Sequence, residues 1–298
     1  MGSYLRPTDV PAALAALATG GRAGSPWVVV AGATDHYPAR VGRVVDEDVL
    51  DVSALPIARG VLPVGGGGRE LPQGGWSIGA RTTWSDLAEA DLPPLFDGLR
   101  RAARAVGGMQ VQNRATISGN VCNASPAADG VPNLLALDAI VELESASGER
   151  RVPLSRFVTG NRRTVRAADE LVMGILVPAP LPGTTVRSTF VKLGARAYLV
   201  ISIAMVAAVV EVDASGRVAR ARVAVGACSE VAQRLPALEA DLAGRPLGAS
   251  LGSIVRPEYL AGLSPIDDVR GSAAYRREAA LVLVRRALED LALQDPAR

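Results

Sequence analysis

Cysteine is almost missing from this sequence: Cys122 and Cys228 are the only two, and they stand far apart. Two thiols cannot by themselves build a disulfide framework, a zinc site or an iron–sulfur cluster, and a reduced, cytoplasmic setting is the simplest expectation. Histidine occurs once, as His36, so His-paired nucleophile machinery is excluded unless that residue serves. No Ser or Cys occupies a recognisable elbow motif, and no His/Cys/Asp cluster has metal-ligand spacing. Aromatic residues make up 4% of the chain, so the core must be built mainly from Ala, Val and Leu. The net charge of +2, with both signs interspersed, excludes the clustered basic face of a nucleic-acid binder. The longest apolar run, over 199–212, is too short to span a bilayer. The amino terminus carries an acid and two prolines where a signal peptide would need a clean apolar core.

Lysine is the most telling scarcity. Lys192 is the only one among 32 basic residues, as if arginine had replaced lysine wherever it would serve. The survivor is then a candidate for a place that needs a compact ammonium rather than a planar fork, with chance survival at a tolerant site as the alternative.

What is present is a soluble globular composition, 49% hydrophobic and 21% charged, in 298 residues, enough for two or three lobes. The spacing predicts a helix over 10–18 capped by Thr8 or Asp9, a buried strand over 27–31, and short strands over 49–52, 59–64 and 76–80. Thr83 and Asp86 resemble a capping box opening a helix to residue 90, and a second helix runs over 94–106. The glycine run 65–68 is expected to be a flexible hairpin connection: Glu70 stands where a nucleotide-loop fingerprint needs its last glycine, and no helix pattern follows. An apolar turn over 131–136 and strands over 140–144 and 171–177 complete this half, with Glu142 and Glu144 on one solvated strand face. The stretch 179–183, rich in proline, is the best linker. Beyond it come long strands over 188–193, 201–212 and 217–226, then helices over 231–242, 250–260 and 273–293. The expected architecture is α+β, with domains over 1–178 (lobes 1–55 and 56–178) and 179–298. The second is a three-stranded sheet with helices on one face.

Two loops stand out. The stretch 112–129 is the densest run of small, polar and turn-forming residues between two apolar segments, suited to wrapping a ligand's polar groups with main chain. The other, 31–38, follows the strand over 27–31 directly. Both could be ordinary surface loops. Together they could hold an extended phosphate-bearing cofactor from two sides, and if the chain takes part in catalysis, a cofactor carries the chemistry.

These residues also carry a resemblance. Ala31-Gly32-Ala33-Thr34-Asp35, Thr116-Ile117-Ser118-Gly119-Asn120, and Asn123-Ala124-Ser125-Pro126 running to Asp129 resemble, in that order, motifs of the FAD-binding medium subunits of molybdenum hydroxylases. So do Glu170-Leu171-Val172 running to Pro178, and Lys192 to Arg196. The family includes xanthine dehydrogenase and carbon monoxide dehydrogenase. The resemblance covers nearly the whole chain and implies a two-lobed FAD-binding domain of the vanillyl-alcohol-oxidase-like (PCMH) type.

Carried over, it implies that the main chain of Val29, Val30, Ala31, Gly32, Ala33, Thr34, Asp35 and His36 lines the diphosphate of a non-covalently held FAD. Thr116, Gly119 and Asn120 would complete the cradle, and Asp129 would bind the ribose or adenine side. Val172 and Lys192 would lie near the isoalloxazine, where an ammonium favours added negative charge. Ala33 and Ser118 replace glycines common in the family, which puts the loop conformations in question. His36 is expected to be a partly exposed loop histidine. The family further implies an iron–sulfur small subunit and a molybdopterin large subunit as partners in a heterotrimer. Electrons would pass from molybdenum through [2Fe–2S] centres and FAD to NAD, a quinone or oxygen. A stand-alone flavin oxidase or reductase on the same fold, and a scaffold that has lost FAD, are the alternatives.

Overall fold

The computed structural model describes residues 2–65, 71, 73–197, 199–248 and 250–294. Tyr4–Leu5 (β1), Val10–Thr19 (α1), Val28–Val30 (β2) and Val49–Asp51 (β3) form the first lobe. The Asp9 side chain accepts from the Ala12 amide to cap α1, Pro11 sits in its first turn, and Gly20 at φ 76° ends it. The three strands pair in parallel in the order β1-β3-β2. A parallel pair presents its carboxyl ends on one edge, and the loop after β2 leaves from that edge.

The second lobe begins with Val61–Val64 (β4) and Gly75–Gly79 (β5), then the helices Trp84–Glu89 (α2), Asp97–Ala105 (α3) and Met109–Gln112 (α4). The glycine run expected as a hairpin connection lies, apart from Gly65, outside the described residues. Thr83 and Asp86 form the capping box of α2. The helix expected over 94–106 opens with a 3₁₀ turn, Pro94–Phe96. There follow Ile117–Asn123 (α5), Gly130–Ala136 (α6), the strands Ile140–Ser145 (β6) and Gly148–Pro153 (β7), and Leu154–Phe157 (α7). A small ribbon, Val158–Gly160 (β8) with Arg163–Thr164 (β9), precedes the long strand Leu171–Pro178 (β10). The sheet is antiparallel, in the order β4-β5-β10-β6-β7.

Past the linker, Thr185–Leu193 (β11), Ala204–Val212 (β12), Val218–Gly226 (β13) and Gln233–Arg234 (β14) make an antiparallel sheet in that order. Strand β12 is buried along its whole length, and its two faces divide with period two. Met205, Ala207 and Val209 join the core that extends from Ala13 of α1 through the second lobe, and there α3 and α6 cover the sheet. Ala204, Val206, Ala208 and Val210 join a separate core under Pro236–Leu242 (α8) and Ala273–Leu293 (α9).

Glu211, wholly buried, falls on the first of these faces, where Arg220 and Arg222 (2.7 Å) meet it and its Oε2 accepts from the Leu181 amide at 2.8 Å. A one-residue slip of β12 would turn this carboxylate into the apolar core under α9, at a cost of several kcal/mol. An apolar strand buried on both faces thus has its register held by one acid.

Two expected helices take other forms. Over 231–242 the chain makes β14 and then the shorter α8, which begins at Pro236. Over 250–260 it makes two 3₁₀ turns, Leu251–Ile254 and Pro257–Leu260, because Pro257 drives Arg256 into the extended region. The strand β14 adds a fourth, two-residue edge to the expected three-stranded sheet.

Candidate flavin site

The first loop leaves the carboxyl end of β2, whose Val30 is buried and Val29 half-buried against the core. Gly32 lies so close to the neighbouring segment that a Cβ there would stand 1.9 Å from the Arg114 carbonyl oxygen. Only glycine allows that contact of main chain with main chain, and it brings the two polar stretches of the sequence together.

Ala33 has φ 54°. The residue expected to resist a left-handed conformation adopts it nonetheless, at a cost of roughly 1–2 kcal/mol. Tyr37 N then donates to Ala33 O at 3.3 Å, closing a turn over Thr34, Asp35 and His36. Among the described residues, the amides of Gly32, Ala33, Thr34, Asp35 and His36 meet no protein acceptor. Consecutive free amides in a tight turn are an anion site.

His36 is half-buried, packs edge-on to Tyr37 at 5.0 Å, and its Nε2 has no partner. Burial, and then the Arg40 guanidinium, lower its pKa, favouring the neutral ring.

The second stretch is not the loop its composition suggests. Residues 117–123 form the helix α5, started by Thr116, whose Oγ1 accepts from the Gly119 amide at 3.0 Å. Gly, Asn and Ser are poor helix formers, and the cap and the buried Ile117 and Val121 outweigh them. Ser118 therefore sits in a helical turn and needs no positive φ. Ser118 is 5% exposed, yet its Oγ has no partner. An orphaned buried hydroxyl and a row of free amides, where Gly32 joins two backbones, fit the diphosphate of a dinucleotide such as FAD. Asn120 looks the other way: its Oδ1 accepts from the Gly130 amide at 3.1 Å and ties α5 to α6.

Asp129 and Lys192, expected to act at opposite ends of the cofactor, are paired. Lys192 Nζ lies 2.7 Å from Asp129 Oδ2, and Ser202 Oγ donates to Asp129 Oδ1 at 2.8 Å. The ammonium also donates to the carbonyls of Ala105 at 3.2 Å and Val200 at 3.4 Å. Both side chains are nearly buried, at 10% and 8% exposure. Burial raises the Asp129 pKa, against the opposing pull of Lys192 and Ser202. The lone lysine thus does a task suited to a compact ammonium, binding a carboxylate and two carbonyls that converge from three segments. Val172 is a buried core residue of β10, where the pairing with β6 breaks register before Gly174.

One neighbour of the loops was not foreseen. Arg162, at the tip of the β8–β9 ribbon, donates from Nη1 to Asp35 Oδ2 at 2.8 Å and to Asn123 Oδ1 at 2.6 Å. Nothing local in the sequence marks it, beyond the turn-forming Gly160-Asn161 before it.

A cleft of about 700 Å³ between α3, β11 and the end of α9, with Trp76, Arg101 and Asp290 in its wall, shares no residue with these loops. Among the described residues there is no group of three or more His, Cys, Asp or Glu side chains able to hold a metal, and no helix long and apolar enough to cross a membrane.

Comparison with known proteins identifies the family. A family model described as the FAD binding domain in molybdopterin dehydrogenase matches residues 1–180. A second, the CO dehydrogenase flavoprotein C-terminal domain, matches 189–291. The chain is 31% identical to the glyceraldehyde dehydrogenase medium chain of Sulfolobus acidocaldarius over 88% of its own length and 90% of that protein. It is 26% identical to the xanthine dehydrogenase FAD-binding subunit of Escherichia coli O157:H7, over 88% and 87%. The solved carbon monoxide dehydrogenase of Hydrogenophaga pseudoflava superposes with a TM-score of 0.81 at 28% identity, covering 97% of this chain and 96% of that one. The chain belongs to the family of FAD-binding medium subunits of the molybdenum hydroxylases, and is the flavoprotein component of an oxidoreductase.

Proposed function

We propose that this chain is the electron-transfer flavoprotein of a heteromeric molybdenum hydroxylase. It receives electrons from the [2Fe–2S] centres of a small subunit, which a molybdopterin large subunit reduces. It delivers them to an acceptor such as NAD, a quinone or oxygen. FAD, held non-covalently, supplies the exchange between two-electron and one-electron transfer. What carries the reading is the meeting of the free amides on 32–36 with the segment 114–115 that leads into α5, at a contact only glycine permits. With two cysteines, both free, the chain cannot hold a four-thiolate cluster itself, so the iron–sulfur centres belong to another chain.

The residues divide the work as follows. The main chain of Val29, Val30, Ala31, Gly32, Ala33, Thr34, Asp35 and His36 lines the diphosphate, with Thr116 and Gly119 setting the first turn of α5 against it. Asn120 fixes α5 to α6. Val172 backs the site from the core, and Lys192 with Asp129 holds the segment 199–202 against α6, so the lysine acts on the flavin by placing main chain. We place the domain division at the linker after Pro178, with lobes 1–55 and 56–178 ahead of it, and the protein in the cytoplasm, where its thiols stay reduced.

The test is reconstitution. The purified chain is expected to be yellow, and its flavin is expected to stay oxidised when an aldehyde or heterocycle is added without partners. Addition of its iron–sulfur and molybdopterin partner subunits should permit reduction. Substrate-dependent reduction by the isolated chain would point instead to a self-sufficient oxidase. A colourless protein that takes up no FAD would sink the reading altogether.

A further inference from the structure

The first-loop motif ends on a carboxylate, Asp35, within the loop proposed to cradle a diphosphate. Asp35 lies between Thr34 and His36, whose amides are free, and like charges brought together there oppose binding. Its partner is Arg162, whose Nη1 reaches Asp35 Oδ2 at 2.8 Å and Asn123 Oδ1, at the end of α5, at 2.6 Å. The two bonds use one nitrogen. Nε and Nη2 meet no protein acceptor among the described residues, so the rest of the fork stays available to an anion.

The backbone is arranged around this reach. Arg162 has φ 55° and its amide donates to the carbonyl of Ala124 at 2.9 Å, itself at φ 48°; Ala33, in the loop that Arg162 holds, is at φ 54°. Three non-glycine residues in the left-handed region meet at one junction, the kind of local strain that surrounding structure sustains at functional sites.

We propose that Arg162 is a positioning residue for FAD binding: it masks the charge of Asp35 and latches the diphosphate loop to the carboxyl end of α5. This rests on the flavin reading above. An ordinary exposed ion pair contributes little to folding, and both side chains here are about half exposed, so the effect belongs in ligand binding rather than stability.

The flavin-free full-length chain, titrated with FAD by quenching of flavin fluorescence, tests this. Arg162→Ala keeps the backbone cost of a side chain at positive φ and removes the guanidinium with its methylene stem. It is expected to bind FAD roughly tenfold more weakly, the cost of a bare carboxylate near a doubly charged group at water-like dielectric. That deficit should shrink as salt is raised, which loss of a merely structural contact would not do. Adding Asp35→Asn to Arg162→Ala should recover most of the lost affinity, and Arg162→Lys should stay within a few-fold of wild type. Unchanged affinity in Arg162→Ala, or no recovery in the double variant, would overturn the proposal while leaving FAD binding intact. A wild-type chain that bound no FAD would overturn the flavin reading and this inference together.

Discussion

Replacing Lys192 by methionine keeps most of the side-chain volume and removes the ammonium. What remains is Asp129, 6% exposed, with only the Ser202 hydroxyl on its carboxylate. Breaking a buried pair by deleting one partner costs about 3–5 kcal/mol, a large part of a total stability of about 5–15 kcal/mol. The carboxyl can escape part of that cost by taking a proton, toward which burial already pushes it. With an acid pKa raised in the folded state, the deficit of Lys192→Met should be largest at high pH and relieved as pH falls through that raised value. Asp129→Asn with Lys192→Met leaves a neutral amide whose oxygen still accepts from the Ser202 hydroxyl, and should recover most of the loss. Urea unfolding of the flavin-free chain, scanned over pH, measures the pair apart from any contact with the cofactor. If Lys192→Met costs less than about 0.5 kcal/mol, or the double variant is as unstable as the two single losses added, the reasoning fails.

Three further outcomes follow from the same geometry. Gly32→Ala drives a methyl group to 1.9 Å from the Arg114 carbonyl, so the two segments must separate; FAD titration should show loss of most binding while far-UV circular dichroism stays near wild type. Ala33→Gly relieves a left-handed alanine and should raise stability by up to about 1 kcal/mol in urea unfolding, with FAD still bound. Asp268 is held at about 2, against an ordinary 3.8, by the Arg270 amide and the Arg276 guanidinium. A depressed acid adds stability that is present above its unfolded pKa and lost as pH falls through the folded one. The melting-temperature gap between wild type and Asp268→Asn should therefore be full at pH 6 and close between about pH 4 and pH 2.

Where one local rule sufficed, the sequence was legible. The Thr83–Asp86 capping box, the Gly-ended α1 and the long apolar strands of the C-terminal sheet follow from spacing alone. The helix α5 was hidden because its Ser, Gly and Asn residues are those that usually make loops, while the Thr116 cap and the buried Ile117 and Val121 decide its conformation. The β12 run was readable as a strand, but not its use of both faces, because that depends on α3 and α6 arriving from the other half of the chain. Motif resemblance singled out Lys192 and Asp129 separately, and their pairing across 63 residues was invisible to it. Arg162 was missed for the same reason: it meets Asp35 across 127 residues, and an arginine in a surface ribbon has no local signature.

The central claim is that two segments of main chain, meeting at Gly32, hold a diphosphate. Comparing FAD with riboflavin, which shares the ring and lacks the diphosphate, tests it most directly. The wild-type chain should bind FAD at one per chain and riboflavin at least about a hundredfold more weakly, the worth of two charge-assisted hydrogen bonds. In Gly32→Ala that preference should collapse. Equal affinity for riboflavin and FAD in the wild-type chain would contradict the account.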